Sequence, residues 1–263
     1  MPSFGYREHS EPTAFIKLLK NRKLTILVGI ASVAVLLVMF SNKGLLRRVM
    51  LESELREKET PWPWLGLCVL LALPAWLTPV IDLDAPQSWS TTATYWTLHP
   101  NTGWDQSFAS WWTTAWLHGS APHLRNNLAG TALLAAMGWM VHANWRTTIA
   151  WAMAWPLTHI GMLLRPEITS YIGLSGVLHA GAMVLALQQI ISPVQPHHRQ
   201  SGWILLGCLV FKIFMENPWG AVLILSSSSA IKVAPWAHFS GALAGLACGV
   251  LNFGWTKLRR PLS

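Results

Sequence analysis

What most constrains this chain is a succession of apolar segments near the length a bilayer requires, separated by short connections that carry most of the charge. A helix crossing hydrocarbon needs about 20 predominantly apolar residues. Weighing apolar length against Pro, Gly and charged breaks predicts spans at 62–81, 123–141, 147–164, 173–191, 202–225 and 236–254, with a shorter extra segment at 24–40. Only 11% of residues are charged and 52% are hydrophobic, whereas soluble domains run near a quarter charged. The expected fold is all-α: a polytopic bundle of six membrane helices over 62–254. An amino-terminal extension, 1–61, holds segment 24–40 and a charged linker, and a short basic tail, 255–263, follows.

The formal charge of +8 does not point to nucleic acid, because the basic residues form short clusters beside apolar segments, not a stripe. They set topology instead. Lys43, Arg47, Arg48, Arg56 and Lys58 precede the first span, and Lys257, Arg259 and Arg260 follow the last, which puts both ends of the bundle in the cytoplasm. The long connection 82–122 has three Asp and neither Lys nor Arg, so it faces outward. Within it Trp104, Phe108, Trp111, Trp112 and Trp116 recur at helical spacing, and an aromatic face on a segment with few charges suits the membrane interface better than the core. Segment 24–40 conflicts with this scheme, because one more span would place Arg7, Lys17, Lys20, Arg22 and Lys23 outside. Translocation despite that charge, an interfacial segment, or a natural start downstream near Met50 all stay open. Cys68, Cys208 and Cys248 lie in apolar runs without metal-type spacing and read as packing residues.

Polar residues at membrane depth are functional candidates. Gly173-Leu174-Ser175-Gly176 sets a serine between glycines at a helix amino terminus, where backbone N–H groups and the helix dipole can stabilise a developing anion. Alone, the same residues read first as a close-packing device. His238 opens the last span, and Gly241, Gly245 and Gly249 after it share a face that would let that helix press on the Gly173 helix and bring His238 to Ser175. A histidine so placed can take the hydroxyl proton. His123 and Asn127 are four apart, on one helical face, and both can donate hydrogen bonds, either to an oxyanion or to a neighbouring helix. His118 and His123 lack a third ligand nearby, and neither HExxH nor the Gly-Asp pair of intramembrane aspartyl proteases occurs, so no metal or other cofactor is expected. His159 has no evident role, and Lys212 with Glu216, four apart, reads as a pair that neutralises itself.

In combination, His118-Gly-Ser-Ala-Pro-His123-Leu-Arg-Asn-Asn127, Gly-Leu-Ser-Gly at 173–176 and Ala237-His238 with Gly241 and Gly245 resemble the rhomboid intramembrane serine proteases over about 62–254. The resemblance implies a rhomboid-like six-helix bundle with Ser175 and His238 as the catalytic dyad and with His123, Asn127 and the Ser175 backbone as the oxyanion hole. Gly173, Gly176, His179, His118 and Gly241 would support the site or the substrate's approach, with His179 either backing His238, contacting substrate or simply packing. Tyr171 through His179 and His123 through Gly130 look most like the rhombosortases, although Ala180 stands where that subfamily would have glycine. That likeness implies a multi-pass protein of the bacterial inner membrane with its site toward the periplasm. Its partners would be the bilayer and an exported protein with a Gly-Gly-containing carboxyl-terminal anchor, cleaved there by hydrolysis or transpeptidation. The rival reading is a catalytically inactive rhomboid-like scaffold that binds membrane clients. The retained Ser175 and His238 argue against it, and a transporter lacks an inverted repeat here.

Overall fold

A computed structural model describes residues 60–225 and 232–258. Segment 24–40 and most of the charged linker lie outside the described residues. Helix α1, Trp62–Leu77, opens on prolines that fit a first helical turn. The connection after it carries two short helices, α2 at Thr91–Trp96 and α3 at Ser110–Thr113, and then come α4, Ala121–Met140, and α5, Trp145–Ile160. Ser120 caps α4 by accepting from the His123 N–H, and Asn144 caps α5 by accepting from the N–H groups of Arg146 and Thr147. Helices α6, Ser175–Ile191, and α7, Pro196–Glu216, follow. A two-residue antiparallel pair, β1 Ile224–Leu225 with β2 Lys232–Val233, leads into α8, Pro235–Leu258.

Helix α6 is buried along almost its whole length and is the axis of the bundle, packed on by α8, α7, α5 and α4. What lets helices approach so closely is the pairing of glycines with backbone or flat rings. A Cβ on Gly241 would lie 1.9 Å from the Gly176 carbonyl oxygen, and one on Gly245 would lie 2.4 Å from that of Ala180. Tryptophans fill the other contacts. The Trp64 indole lies over Gly138 and donates to the Leu134 carbonyl at 2.8 Å, while Trp151 lies against Gly181 and donates to Val177 at 2.8 Å. Each buried N–H is thereby satisfied while its ring is packed.

Three expectations change. Among the described residues, no helix is both long and apolar enough to cross a membrane. Helices stand at all six expected places, but α1, α5 and α6 run only 16, 16 and 17 residues, and α4 and α7 carry charged and amide side chains. The fifth segment lies earlier than 202–225. It starts at Pro196, where Gln195 and His198 form a reciprocal cap, and stops at Asn217, whose left-handed backbone (φ 48) precedes Pro218. The aromatic run from 104 to 116 is not one amphipathic helix, since only Trp111 and Trp112 fall in α3. Trp104 and Phe108 are exposed before it while Trp111 is buried.

Candidate functional site

Three helix ends converge on one side of the bundle. Ser175 is the first residue of α6, His238 sits in the first turn of α8, and Glu216 is the last residue of α7. The glycine contact between α6 and α8 sets the distance between the first two, and Ser175 Oγ lies 2.9 Å from His238 Nε2. On the opposite edge of the same ring, His238 Nδ1 lies 2.6 Å from Glu216 Oε2. Two acceptors cannot share that short contact, so Nδ1 carries the proton and donates it to the carboxylate. Nε2 is then left with a lone pair facing the serine hydroxyl. Lys212 binds the other carboxylate oxygen, Oε1, from one turn back along α7.

His179, one turn after Ser175, stacks face to face on His238 with ring centroids 4.0 Å apart and planes 10° apart. Its Nδ1 is 2.7 Å from the Ser175 carbonyl, to which it donates. His179, Glu216 and His238 bring ligand-type atoms within 4.8 Å of one another. They do not suit a metal. Parallel rings aim their lone pairs along parallel planes, and the carboxylate is already engaged by a histidine N–H and an ammonium.

The approach to Ser175 is held from the other side by the segment between α5 and α6. The Leu98 and Tyr171 backbones bond reciprocally, Thr114 Oγ1 donates to the Tyr171 carbonyl at 2.5 Å, and the Gly173 N–H donates to the Thr114 carbonyl at 3.0 Å. Gly173 has φ 125, and its missing Cβ leaves room for the His123 ring, whose Cε1 would be 2.8 Å away. No other residue meets both demands. His123 thus lies across the entry to α6, and Asn127 stands one turn further along α4. Asn127 Nδ2 lies 2.9 Å from His118 Nε2, and His118 Nδ1 lies 3.2 Å from the Trp116 carbonyl. Burial, with His123 adding to it and the Trp116 carbonyl opposing, lowers His118 to about 4. His118 is therefore neutral at ordinary pH, donates from Nδ1, and accepts from the Asn127 amide, which fixes the orientation of that amide.

His123, Asn127, Ser175, His179, Glu216 and His238 all line one cavity of about 640 Å³ between α4, α6 and α7. The structure therefore gathers the serine, both histidines near it, His123 and Asn127, with His118 behind Asn127. Gly176 and Gly241 are the packing surfaces between α6 and α8 and do not line the cavity. Sequence reasoning missed Glu216, whose carboxylate it assigned to Lys212 alone. His159 also gains a place: its buried ring reaches the Trp111 carbonyl at 2.6 Å and ties α3 to α5. A serine whose hydroxyl faces a histidine lone pair, beside N–H donors at a helix start, is an arrangement that can perform acyl transfer.

Comparison with known protein families matches residues 105–255 to the family described as Rhomboid domain. No curated protein and no solved structure matches the chain.

Proposed function

This chain belongs to the rhomboid family, and on that premise we propose that it is an active serine endopeptidase with Ser175 as nucleophile and His238 as base. The family's members are integral membrane proteins, generally serine proteases that act on membrane-protein substrates within the bilayer, and membrane localisation follows for this chain. The observation that carries the reading is the 2.9 Å contact from Ser175 Oγ to His238 Nε2. In acylation the hydroxyl proton passes to Nε2 as Oγ bonds to the peptide carbonyl carbon, and the same proton then goes to the leaving amine. The oxyanion meets the α6 amino terminus and the side chains of His123 and Asn127. Water, or another amine, resolves the acyl-enzyme.

The substrate we assign is an exported protein with a Gly-Gly segment just before a carboxyl-terminal membrane anchor, the rhombosortase type of reaction. A transmembrane helix keeps its carbonyls bonded within itself, so a serine can attack only where the helix unwinds. Glycine favours unwinding and offers no side chain to obstruct approach. The same reading places the protein as a multi-pass protein in a bacterial inner membrane with the cavity mouth toward the periplasm, because the connection 82–122 lacks basic residues.

Mass spectrometry of mature carboxyl termini tests the substrate class. Cells with intact Ser175 should yield exported proteins truncated near the glycines, and Ser175→Ala cells should yield full-length tails. Identical tails in both would remove this substrate class.

A further inference from the structure

Serine and histidine alone do not account for the far edge of the His238 ring. Glu216 Oε2 meets Nδ1 there at 2.6 Å, opposite the edge at which Nε2 meets Ser175 Oγ at 2.9 Å. A carboxylate in this place gains little from its own helix. It is the last residue of α7, where the helix dipole disfavours negative charge. Lys212 precedes it at i−4, the weaker of the two orientations for a helical ion pair. Helix stability therefore does not explain the residue.

The surroundings hold that carboxylate in register with the histidine. Lys212 takes Oε1 and leaves Oε2 for Nδ1. Just past Glu216 the chain turns through left-handed Asn217, and the buried Arg165 guanidinium donates to the Pro218 carbonyl at 2.9 Å and to that of Gly220 at 3.3 Å. The same guanidinium lies 5.7 Å over the ring of Trp236, two residues before His238. Arg165 thus ties the turn after Glu216 to the turn before His238. The stacked His179 ring confines His238 to its own plane and leaves rotation within that plane as the freedom to be removed.

Resting on the protease reading above, we infer that Glu216 is a positioning residue that completes a Ser175–His238–Glu216 triad, with Lys212 orienting its carboxylate. The carboxylate holds His238 in the tautomer with the proton on Nδ1, so that the Nε2 lone pair faces Ser175. During acylation the Ser175 proton moves to Nε2, Oγ bonds to the substrate carbonyl carbon, and the resulting imidazolium lies against an ionised Glu216. The Nε2 proton then leaves with the amine as the C–N bond breaks. In deacylation the oxygen of a water bonds to the acyl carbon as one of its protons passes to Nε2, and that proton goes to Oγ when the ester C–O bond breaks. Glu216 stays ionised throughout and exchanges no proton.

Inactivation of the purified full-length protein by a fluorophosphonate tests this without any knowledge of the substrate. The maximal rate of serine phosphonylation, kinact, and the half-saturating concentration, KI, are measured for wild type, Glu216→Gln, Glu216→Asp and Lys212→Gln, with Ser175→Ala as the blank. Glutamine has the shape of glutamate and can still accept from Nδ1, so a role in packing alone predicts no change. The triad predicts that Glu216→Gln lowers kinact about 10²-fold or more, short of the roughly 10⁴-fold seen for a fully buried triad acid, with KI within about twofold and the thermal midpoint kept. Lys212→Gln, which keeps the carboxylate, should lose less than about tenfold. Equal kinact in wild type and Glu216→Gln overturns the inference, as does a Lys212→Gln loss as large as that of Glu216→Gln. If Glu216→Gln does not fold, Glu216→Asp decides, with a kinact about tenfold down expected and a wild-type kinact overturning. A wild type that is not labelled at Ser175 removes the protease reading itself, and labelling of wild type and Glu216→Gln alike removes only the triad.

Discussion

The two long faces of α6 are built by opposite means. Toward α8, backbone meets backbone: Gly241 rests on the Gly176 carbonyl and Gly245 on that of Ala180, with no room for a methyl group. Toward α4 and the Glu216 end of α7, side chains border an open cavity, and its rim is bridged by an ion pair between exposed Asp84 and Lys232. Ser175 stands where the two faces meet. Helix backbone has no rotamer by which to yield, whereas a wall of side chains can rearrange. The closed face therefore sets the distance from serine to histidine, and under the proposed function the open face is where an unwound substrate would enter.

The comparison breaks most completely if the pair at the junction is dispensable. Ser175→Ala or His238→Ala should each lower peptide cleavage by about 10⁴-fold or more, with the double variant no worse than either, because the two act as one unit. Next in size is the closed face itself. Gly241→Ala puts a methyl group 1.9 Å from the Gly176 carbonyl, which should cost about 1–3 kcal/mol of stability and about 10²-fold in activity as Ser175 and His238 are forced apart. Gly207→Ala on α7, where a Cβ meets nothing within 4 Å, is its control and should leave turnover unchanged, with a thermal midpoint equal to or above that of wild type because alanine is the better helix former.

The open face should respond in grades. Asn127→Ala and His123→Ala are each expected to lower turnover by about 10²–10³-fold, as for the loss of one oxyanion donor. The smallest effect belongs to the rim. Lys232→Ala breaks an ion pair between exposed groups, a kind worth about 0–1 kcal/mol, so kcat/KM should change by about fivefold at most. A loss as large for Lys232→Ala as for Asn127→Ala would mean that the rim is part of the rigid machinery and that the contrast between faces is wrong.

How much of this could be read in the sequence follows the same division. The glycines after His238 recur at helical spacing, so the face that presses on α6 was legible from period alone. The end of α7 was legible too, in Asn217-Pro218, but apolar length outweighed that break and carried the segment to 225. Glu216 was not legible in its role. Lys212 at i−4 satisfied it on paper, and its second partner lies 22 residues away on another helix. The aromatic run from 104 to 116 misled because recurrence at helical spacing does not show where a helix begins or ends: only Trp111 and Trp112 fall in α3, and Trp111 is buried.

The central claim is that the junction of α6 and α8 cleaves a peptide bond within a membrane-anchored chain. Its most direct test uses the full-length protein in lipid vesicles with a transmembrane peptide carrying Gly-Gly at one membrane boundary, the products being weighed by mass spectrometry. Wild type should release one fragment pair cut at or beside the glycines, and Ser175→Ala and His238→Ala should release none. An intact peptide with wild type, or the same fragments from Ser175→Ala, would contradict it.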